Sequence, residues 1–173
     1  MKGYARLGAI AFAALTLGCA DEPLIPQRGE LAPFQTDRLA YEAAVSDGMV
    51  RLEVTVTFTN RSGEARYIAR CTQESLAFSL EKYVPGGWVH AYSPGCPRIF
   101  LEPIRVPPGA SHTETVRIVG LHSGDSGPDF ETPVSRVYRL VSWVYRSWSM
   151  QDGGELLPEE ARMSNLFEIR GPE

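Results

Sequence analysis

Residues Met49–Ala65 read MVRLEVTVTFTNRSGEA. Val50, Leu52, Val54, Val56 and Phe58 alternate with Arg51, Glu53, Thr55, Thr57 and Thr59. A period of two sustained over that length is the pattern of a β-strand with one face buried and one face wet. Asn60-Arg61-Ser62-Gly63 then supplies a turn. The chain beyond this turn reads mostly as further strands able to cover the apolar face of the first.

Working outward, Asp37–Val45 (DRLAYEAAV) suits a first strand or a short helix, and alternation of Leu39, Tyr41 and Ala43 favours the strand. Ser46-Asp47-Gly48 turns the chain into the long strand. Downstream, Ala65–Cys71 reads as a short strand with Tyr67 and Ala69 inward. Leu76, Phe78 and Leu80 alternate with polar or small residues. Pro85-Gly86-Gly87 leads into Trp88–Tyr92, so residues 75–92 are expected to form a hairpin. Ser93–Pro97 is a loop, Ile99–Val106 is extended, and Pro107-Pro108-Gly109 turns into a strand over Ser111–Val119. Residues 120–135 make a long polar loop. Val137–Tyr145 (VYRLVSWVY) is apolar on both faces and predicts one central strand. Tyr138, near its start, is placed to cap a corner with its hydroxyl. Gln151–Met163 is a loop with one helical turn at Pro158–Ala161, and Asn165–Arg170 closes the sheet with Leu166 and Phe167 or Ile169 inward.

About seven to nine short strands separated by turn signals, with no long helix, predict an all-β immunoglobulin/fibronectin-like β-sandwich. A lipocalin-like barrel is the rival, with longer strands and more regular hairpins. The chain of 173 residues holds one ordinary domain plus a tail, and its apolar content is enough to build a core. A net charge of −4 with arginines spread singly gives no basic patch, which argues against nucleic-acid binding.

The amino-terminal stretch MKGYARLGAIAFAALTLGC (Met1–Cys19) has a positive start at Lys2 and Arg6 and an apolar run from Leu7 to Leu17. That run is too short to span a bilayer as a helix. Its end, Leu15-Thr16-Leu17-Gly18-Cys19, resembles a bacterial lipoprotein lipobox, with Thr16 where the pattern prefers leucine. The resemblance implies a signal peptide over residues 1–18, cleavage after Gly18, a diacylglycerol on the Cys19 sulfur and acylation of the new amino terminus. Several acyl chains hold a membrane stably where one does not. Ala20 rather than aspartate follows the cysteine, which by the enterobacterial sorting rule implies an outer-membrane, periplasm-facing location. Loss of Lys2 and Arg6 leaves a net charge of about −6. Residues 19–36, with Pro23, Pro26, Pro33 and Gly29, read as a lipidated flexible tether, and 37–173 as the sandwich domain.

With Cys19 committed to lipid, Cys71 and Cys96 remain as an even pair in an oxidising compartment and are expected to form a disulfide. The closed loop of about 25 residues is worth on the order of 3 kcal/mol by the loop-entropy argument. Free thiols are the alternative. No Cys-x-x-Cys or nearby histidine suggests a metal site there.

Gly124-Asp125-Ser126-Gly127-Pro128 looks like the nucleophile segment of chymotrypsin-like serine proteases with one glycine missing. His112 and His122 lack that family's setting, so no catalytic residue is assigned and a flexible acidic loop is the expectation. Asp125, Asp129 and Glu131 offer calcium-type oxygens but match no loop pattern. Glu159 and Glu160 are adjacent and make a poor acid/base pair. Trp88, His90 and Tyr92 form an aromatic stripe, and Trp88, Tyr92, Trp143 and Trp148 are the candidate ligand- or partner-binding residues, with packing as the competing role.

Leu52–Gly63, then Val106-Pro107-Pro108-Gly109-Ala110-Ser111, then Tyr138-Arg139-Leu140-Val141, follow the order "apolar strand ending in Asn-x-Ser-Gly, Pro-Gly-x-Ser, Tyr-x-Leu/Val". This is similar to bacterial immunoglobulin-like domains, including the BsuPI-type intracellular proteinase inhibitor domain, over residues 45–146. The chain departs from the inhibitor family in its lipobox, its cysteine pair and its 120–135 loop, and no reactive-site residue carries over. The expectation is a lipid-anchored envelope protein that binds an unknown envelope protein or ligand, with no cofactor and no enzymatic activity. A proteinase inhibitor-like domain is the alternative, and a hydrolase stands third.

Overall fold

The computed structural model describes residues 32–97, 101–121, 134–149 and 153–171. In chain order the strands are β1 (Phe34–Thr36), β2 (Ala40–Glu42), β3 (Ala44–Ser46), β4 (Met49–Thr59), β5 (Arg66–Ile68), β6 (Arg70–Thr72), β7 (Ser75–Leu76) and β8 (Phe78–Val84). They continue with β9 (Gly87–Tyr92), β10 (Ile104–Val106), β11 (Ser111–Leu121), β12 (Arg136–Ser142), β13 (Val144–Ser149), β14 (Gly153–Leu156) and β15 (Phe167–Arg170). A single 3₁₀ turn, Glu159–Ala161, is the helical element among the described residues. The fold is all-β.

The first sheet runs β1–β4–β11, with β3 also paired to β4. Alternation in β4 is realised: Val50, Leu52, Val54, Val56 and Phe58 are buried while their neighbours face out. β11 pairs with it antiparallel along its whole length, from Met49↔Leu121 to Thr59↔Ser111. Asp47 and Gly48, both at positive φ, make the two-residue turn from β3 into β4. That is the turn whose twist matches flanking strands. The second sheet runs β2–β15–β12–β8–β9, and the third β10–β5–β13–β14. β6 and β7 form a separate small hairpin. One core joins Phe34, Val54 and Ile118 of the first sheet to Phe78, Leu80, Tyr138, Leu140 and Ile169 of the second.

The expected central strand 137–145 is two strands. It breaks at Trp143, so that β12 belongs to the second sheet and β13 to the third. The break has a specific cause. Ala69 N–H bonds to Trp143 C=O at 2.8 Å, Ala77 N–H to Ala69 C=O at 2.9 Å, and Trp143 N–H to Ala77 C=O at 3.4 Å. Three chain interruptions thus satisfy one another's backbone groups in a closed triangle.

Other boundaries also shift. In 65–71 the inward residues are Ile68 and Cys71, with Tyr67 half-buried, because Ala69 interrupts the strand. β1 lies inside the stretch read as tether: Phe34 is fully buried with its ring 4.9 Å from Phe58, so the sheet begins at Phe34. Gly153–Leu156, read as loop, is an edge strand against β13. The helical turn at 159–161 is present.

Two side chains fasten the ends. Asn60 Nδ2 donates to the carbonyls of Glu64 (2.8 Å), Val106 (2.9 Å) and Pro107 (3.1 Å). Its Oδ1 accepts from Ser62 N–H and Oγ–H, and its backbone bonds to Ala110 and Gly109. The Asn60–Gly63 turn and the Pro107–Gly109 turn are therefore one unit. The Tyr138 hydroxyl donates to Val134 C=O at 2.8 Å, capping the start of β12 as expected from its position.

Candidate functional site

A cleft of about 290 Å³ opens at the end of the domain where the chain enters β1. Pro33, Phe58, Leu157 and Ala161 give it an apolar lining, and Asn60, Arg61, Ser62 and Arg66 a polar rim. Each wall is fixed by the fold. Pro33 C=O accepts from Thr59 N–H at 3.1 Å. Leu157 is held by its N–H to Val144 C=O at 2.9 Å and by Arg162 Nε to its own carbonyl at 2.8 Å. Arg66 is mostly buried and reaches Glu64 at 3.3 Å and the Ala65 carbonyl at 3.1 Å. A cleft lined by apolar residues beside Arg66 suits an apolar segment bearing a carboxylate that competes with Glu64 for that guanidinium.

A second surface is the outer face of the first sheet and its margin along β11, which has no ladder partner among the described residues. Thr55–Thr115, Thr57–Thr113 and Thr59–Ser111 pair hydroxyl to hydroxyl at 2.9, 2.8 and 3.0 Å, and Arg117 Nε meets Glu53 at 3.1 Å. These are cross-strand pairs that stabilise the sheet. Thr59 N–H to Pro33 C=O and Asp37 N–H to Thr55 C=O show that odd residues of β4 bond toward β1. Even residues of β4 therefore bond to even residues of β11. Ser111, Thr113, Thr115, Arg117 and Val119 turn their backbone groups to the free side. The Tyr92 hydroxyl takes the Val119 N–H at 3.4 Å. β7 packs beside β11 without joining its ladder, and Thr72, Glu74 and Ser75 face Thr115 and Arg117 across a depression of about 510 Å³.

On the buried face of β11, His112 Nε2 lies 3.1 Å from Glu114 Oε2, while Glu114 Oε1 is buried with no hydrogen-bond partner among the described residues.

The disulfide expected between Cys71 and Cys96 is formed, tying β6 to the segment that leaves β9. The four aromatic candidates do not converge. Tyr92 is buried against Phe78, with ring centroids 6.0 Å apart. Trp88 is half-buried, with Tyr83 at its edge and the Arg139 guanidinium 4.7 Å over its ring. Trp143 sits at the backbone triangle, and Trp148 leans on Tyr145 with centroids 5.2 Å apart. The cleft draws on residues that carry no motif; among them only Asn60–Ser62 stand out in the sequence, as turn chemistry.

Burial raises the phenol pKa of Tyr41, Tyr138, Tyr92 and Tyr145 above the ordinary tyrosine value. Among the described residues no cluster of His, Cys, Asp and Glu could hold a metal ion, and no helix is long and apolar enough to cross a membrane. Cys19, the Gly124–Pro128 segment, Asp125, Asp129 and Glu131 lie outside the described residues.

No family model matches the sequence, and no curated protein matches it significantly. Among solved structures, a structural-genomics target designated SoR45 is similar with a TM-score of 0.39 at 14% identity, covering 80% of this chain and 82% of the target. The alkylpurine DNA glycosylase AlkC of Pseudomonas fluorescens, solved with DNA containing an abasic-site analogue, is similar with a TM-score of 0.32 at 11% identity. That likeness covers 83% of this chain and 32% of the glycosylase. At these scores neither likeness carries an argument about fold or activity.

Proposed function

We propose that this chain is a lipid-anchored binding module of a bacterial cell envelope: an immunoglobulin/fibronectin-like β-sandwich tethered through Cys19, periplasm-facing at the outer membrane, acting by binding rather than catalysis. The sandwich reading is supported by the single core between the first and second sheets and by the capping hydroxyl of Tyr138. The anchor reading rests on the lipobox residues. The observation that carries the binding role is the apolar cleft rimmed by Arg61 and Arg66. Its partner is an extended acidic segment of another envelope protein, with one or two apolar side chains against the apolar lining and a carboxylate that displaces Glu64 from Arg66.

The test is a photo-crosslinking residue at Ser62 in the lipidated chain, irradiated in intact envelopes, with Cys19→Ala as the unanchored control. A discrete adduct that weakens at least tenfold with Arg66→Glu is expected. An adduct pattern indifferent to that charge reversal, or none above the control, rejects the cleft as the binding site.

The inhibitor-like alternative draws support from Asn60. It joins the Asn-x-Ser-Gly turn and the Pro-Pro-Gly turn, two of the pieces that carry the inhibitor-domain resemblance, into one unit. Inhibition of secreted proteases by the purified chain, lost on deletion of residues 122–133, is its test. Full protease activity at saturating concentrations of the chain would reject it.

A further inference from the structure

The longest strands of the domain, β4 and β11, leave one margin of the first sheet without a ladder partner among the described residues. Unpaired margins of this length are templates for strand addition, and proteins blunt them by covering them. Here the β6–β7 hairpin stands against Thr115 and Arg117 and the Tyr92 hydroxyl against Val119, so the margin is covered from Thr115 onward. Cys71 lies in the first and Cys96 follows the second, so one covalent bond holds both in place.

We propose that Cys71–Cys96 is a reducible latch over β11, and that the uncovered margin pairs antiparallel with β11 of a second copy of this chain. Cys71 is buried and Cys96 is exposed, so an attacking thiolate reaches the Cys96 sulfur. The reductant is a dithiol. Its first thiolate bonds to Cys96 Sγ, and Cys71 leaves as a thiolate that takes up a proton. Its second thiolate then displaces Cys96 from the mixed disulfide. The protein gains two thiols and the dithiol ends as a disulfide.

The second copy is favoured by the charges on β11. In a two-fold pairing centred on Thr113, the free-side groups of Ser111, Thr113 and Thr115 meet Thr115, Thr113 and Ser111 of the second copy. His112 then stands opposite Glu114 in a non-hydrogen-bonded pair, where side chains come closest. That brings the His112 ring of each copy beside the Glu114 carboxylate of the other, whose Oε1 has no hydrogen-bond partner among the described residues. Centring on Thr115 sets Glu114 against Val116 and leaves the carboxylate unsatisfied. Centring on Arg117 sets two arginines face to face. The hydroxyl pairs of the outer face would continue across the Thr113 two-fold as Thr113–Thr113 and Ser111–Thr115.

The test is sedimentation of the unlipidated Cys19→Ala chain with and without dithiothreitol, beside a Cys71→Ser/Cys96→Ser form. The latch requires a monomer when oxidised, and a doubling of mass when reduced or in the double variant, with near-ultraviolet circular dichroism retained. In the double variant, Thr113→Cys should oxidise to a covalent dimer and Arg117→Cys should not. A reduced chain that stays monomeric overturns the proposal. So does one that loses its near-ultraviolet signal, since the bridge is then a staple rather than a latch. Equal cross-linking at both positions overturns the register.

Discussion

Asn60 Nδ2 and the carbonyl of Val106 lie 2.9 Å apart in the buried interior, across 46 positions of chain. The same amide reaches Glu64 and Pro107, so a single side chain holds the exit of β4 to the entry of β11. Replacing it leaves several carbonyls without a donor, and such groups are costly to bury.

Asn60→Ala should therefore lower stability by about 2–3 kcal/mol. Asn60→Asp should do no better, because a carboxylate cannot donate to carbonyls. Urea midpoints at constant slope are the measurement, and a shift within about 0.5 kcal/mol would remove Asn60 from its role as fastener.

Tyr138 predicts behaviour in alkali. Its phenol is fully buried, donates to Val134, and is held above the ordinary tyrosine pKa mainly by burial. Tyr41, likewise buried, is raised by burial and then by its bond to Asp37. A raised folded pKa means the unfolded state releases its proton first. Stability is then complete below the unfolded value of about 10 and falls as pH climbs above it, by about 1.4 kcal/mol per pH unit for each such tyrosine. Tyr138→Phe should cost about 1 kcal/mol at neutral pH and flatten the alkaline decline. An unchanged slope above about pH 10 in the variant would contradict the assignment.

Arg139 organises the outer face of the second sheet. It stands directly opposite Glu81, bonds to it through Nε at 2.6 Å, reaches Glu159 at 2.7 Å and lies over Trp88. Arg139→Ala should cost about 2 kcal/mol and red-shift tryptophan emission. Arg139→Lys should recover less than half, since an ammonium cannot bridge two carboxylates and stack at once. Full recovery by lysine would mean that charge alone suffices.

Gly154 is required by space. A Cβ there would meet the Tyr145 ring at 2.6 Å and the Ser147 carbonyl at 2.7 Å. Gly154→Ala should cost about 2 kcal/mol and speed amide exchange in β14, while leaving β4 and β11 protected. Equal loss of protection in both regions would show that β14 does not open separately.

The long strand β4 was legible because one face is wet: the threonines and charges between its apolar residues leave no doubt about phase. The 137–145 run was not divisible by eye, since Val137, Leu140, Val141 and Val144 are apolar through the point where the chain changes sheets. What breaks it is a set of backbone bonds to Ala69 and Ala77, which no local pattern records. Tyr67 and Ile68 are both apolar, so the inward one is chosen only when Ala69 interrupts β5. The cleft had no local signature either. Its walls come from residues 33, 58–62, 66, 157 and 161, each unremarkable in its own stretch. The disulfide, by contrast, followed from counting cysteines once a compartment was assigned.

The Ala69–Ala77–Trp143 triangle bears on how the domain comes apart. Because β12 and β13 are one continuous run of chain through Trp143, peeling the third sheet away at Ala69 also breaks the bonds that Ala69 makes to Trp143 and Ala77 at the second sheet's border. Opening either sheet at that border therefore costs hydrogen bonds of the other. The border couples the second and third sheets, and β14 lies at the outer margin of the third, away from it.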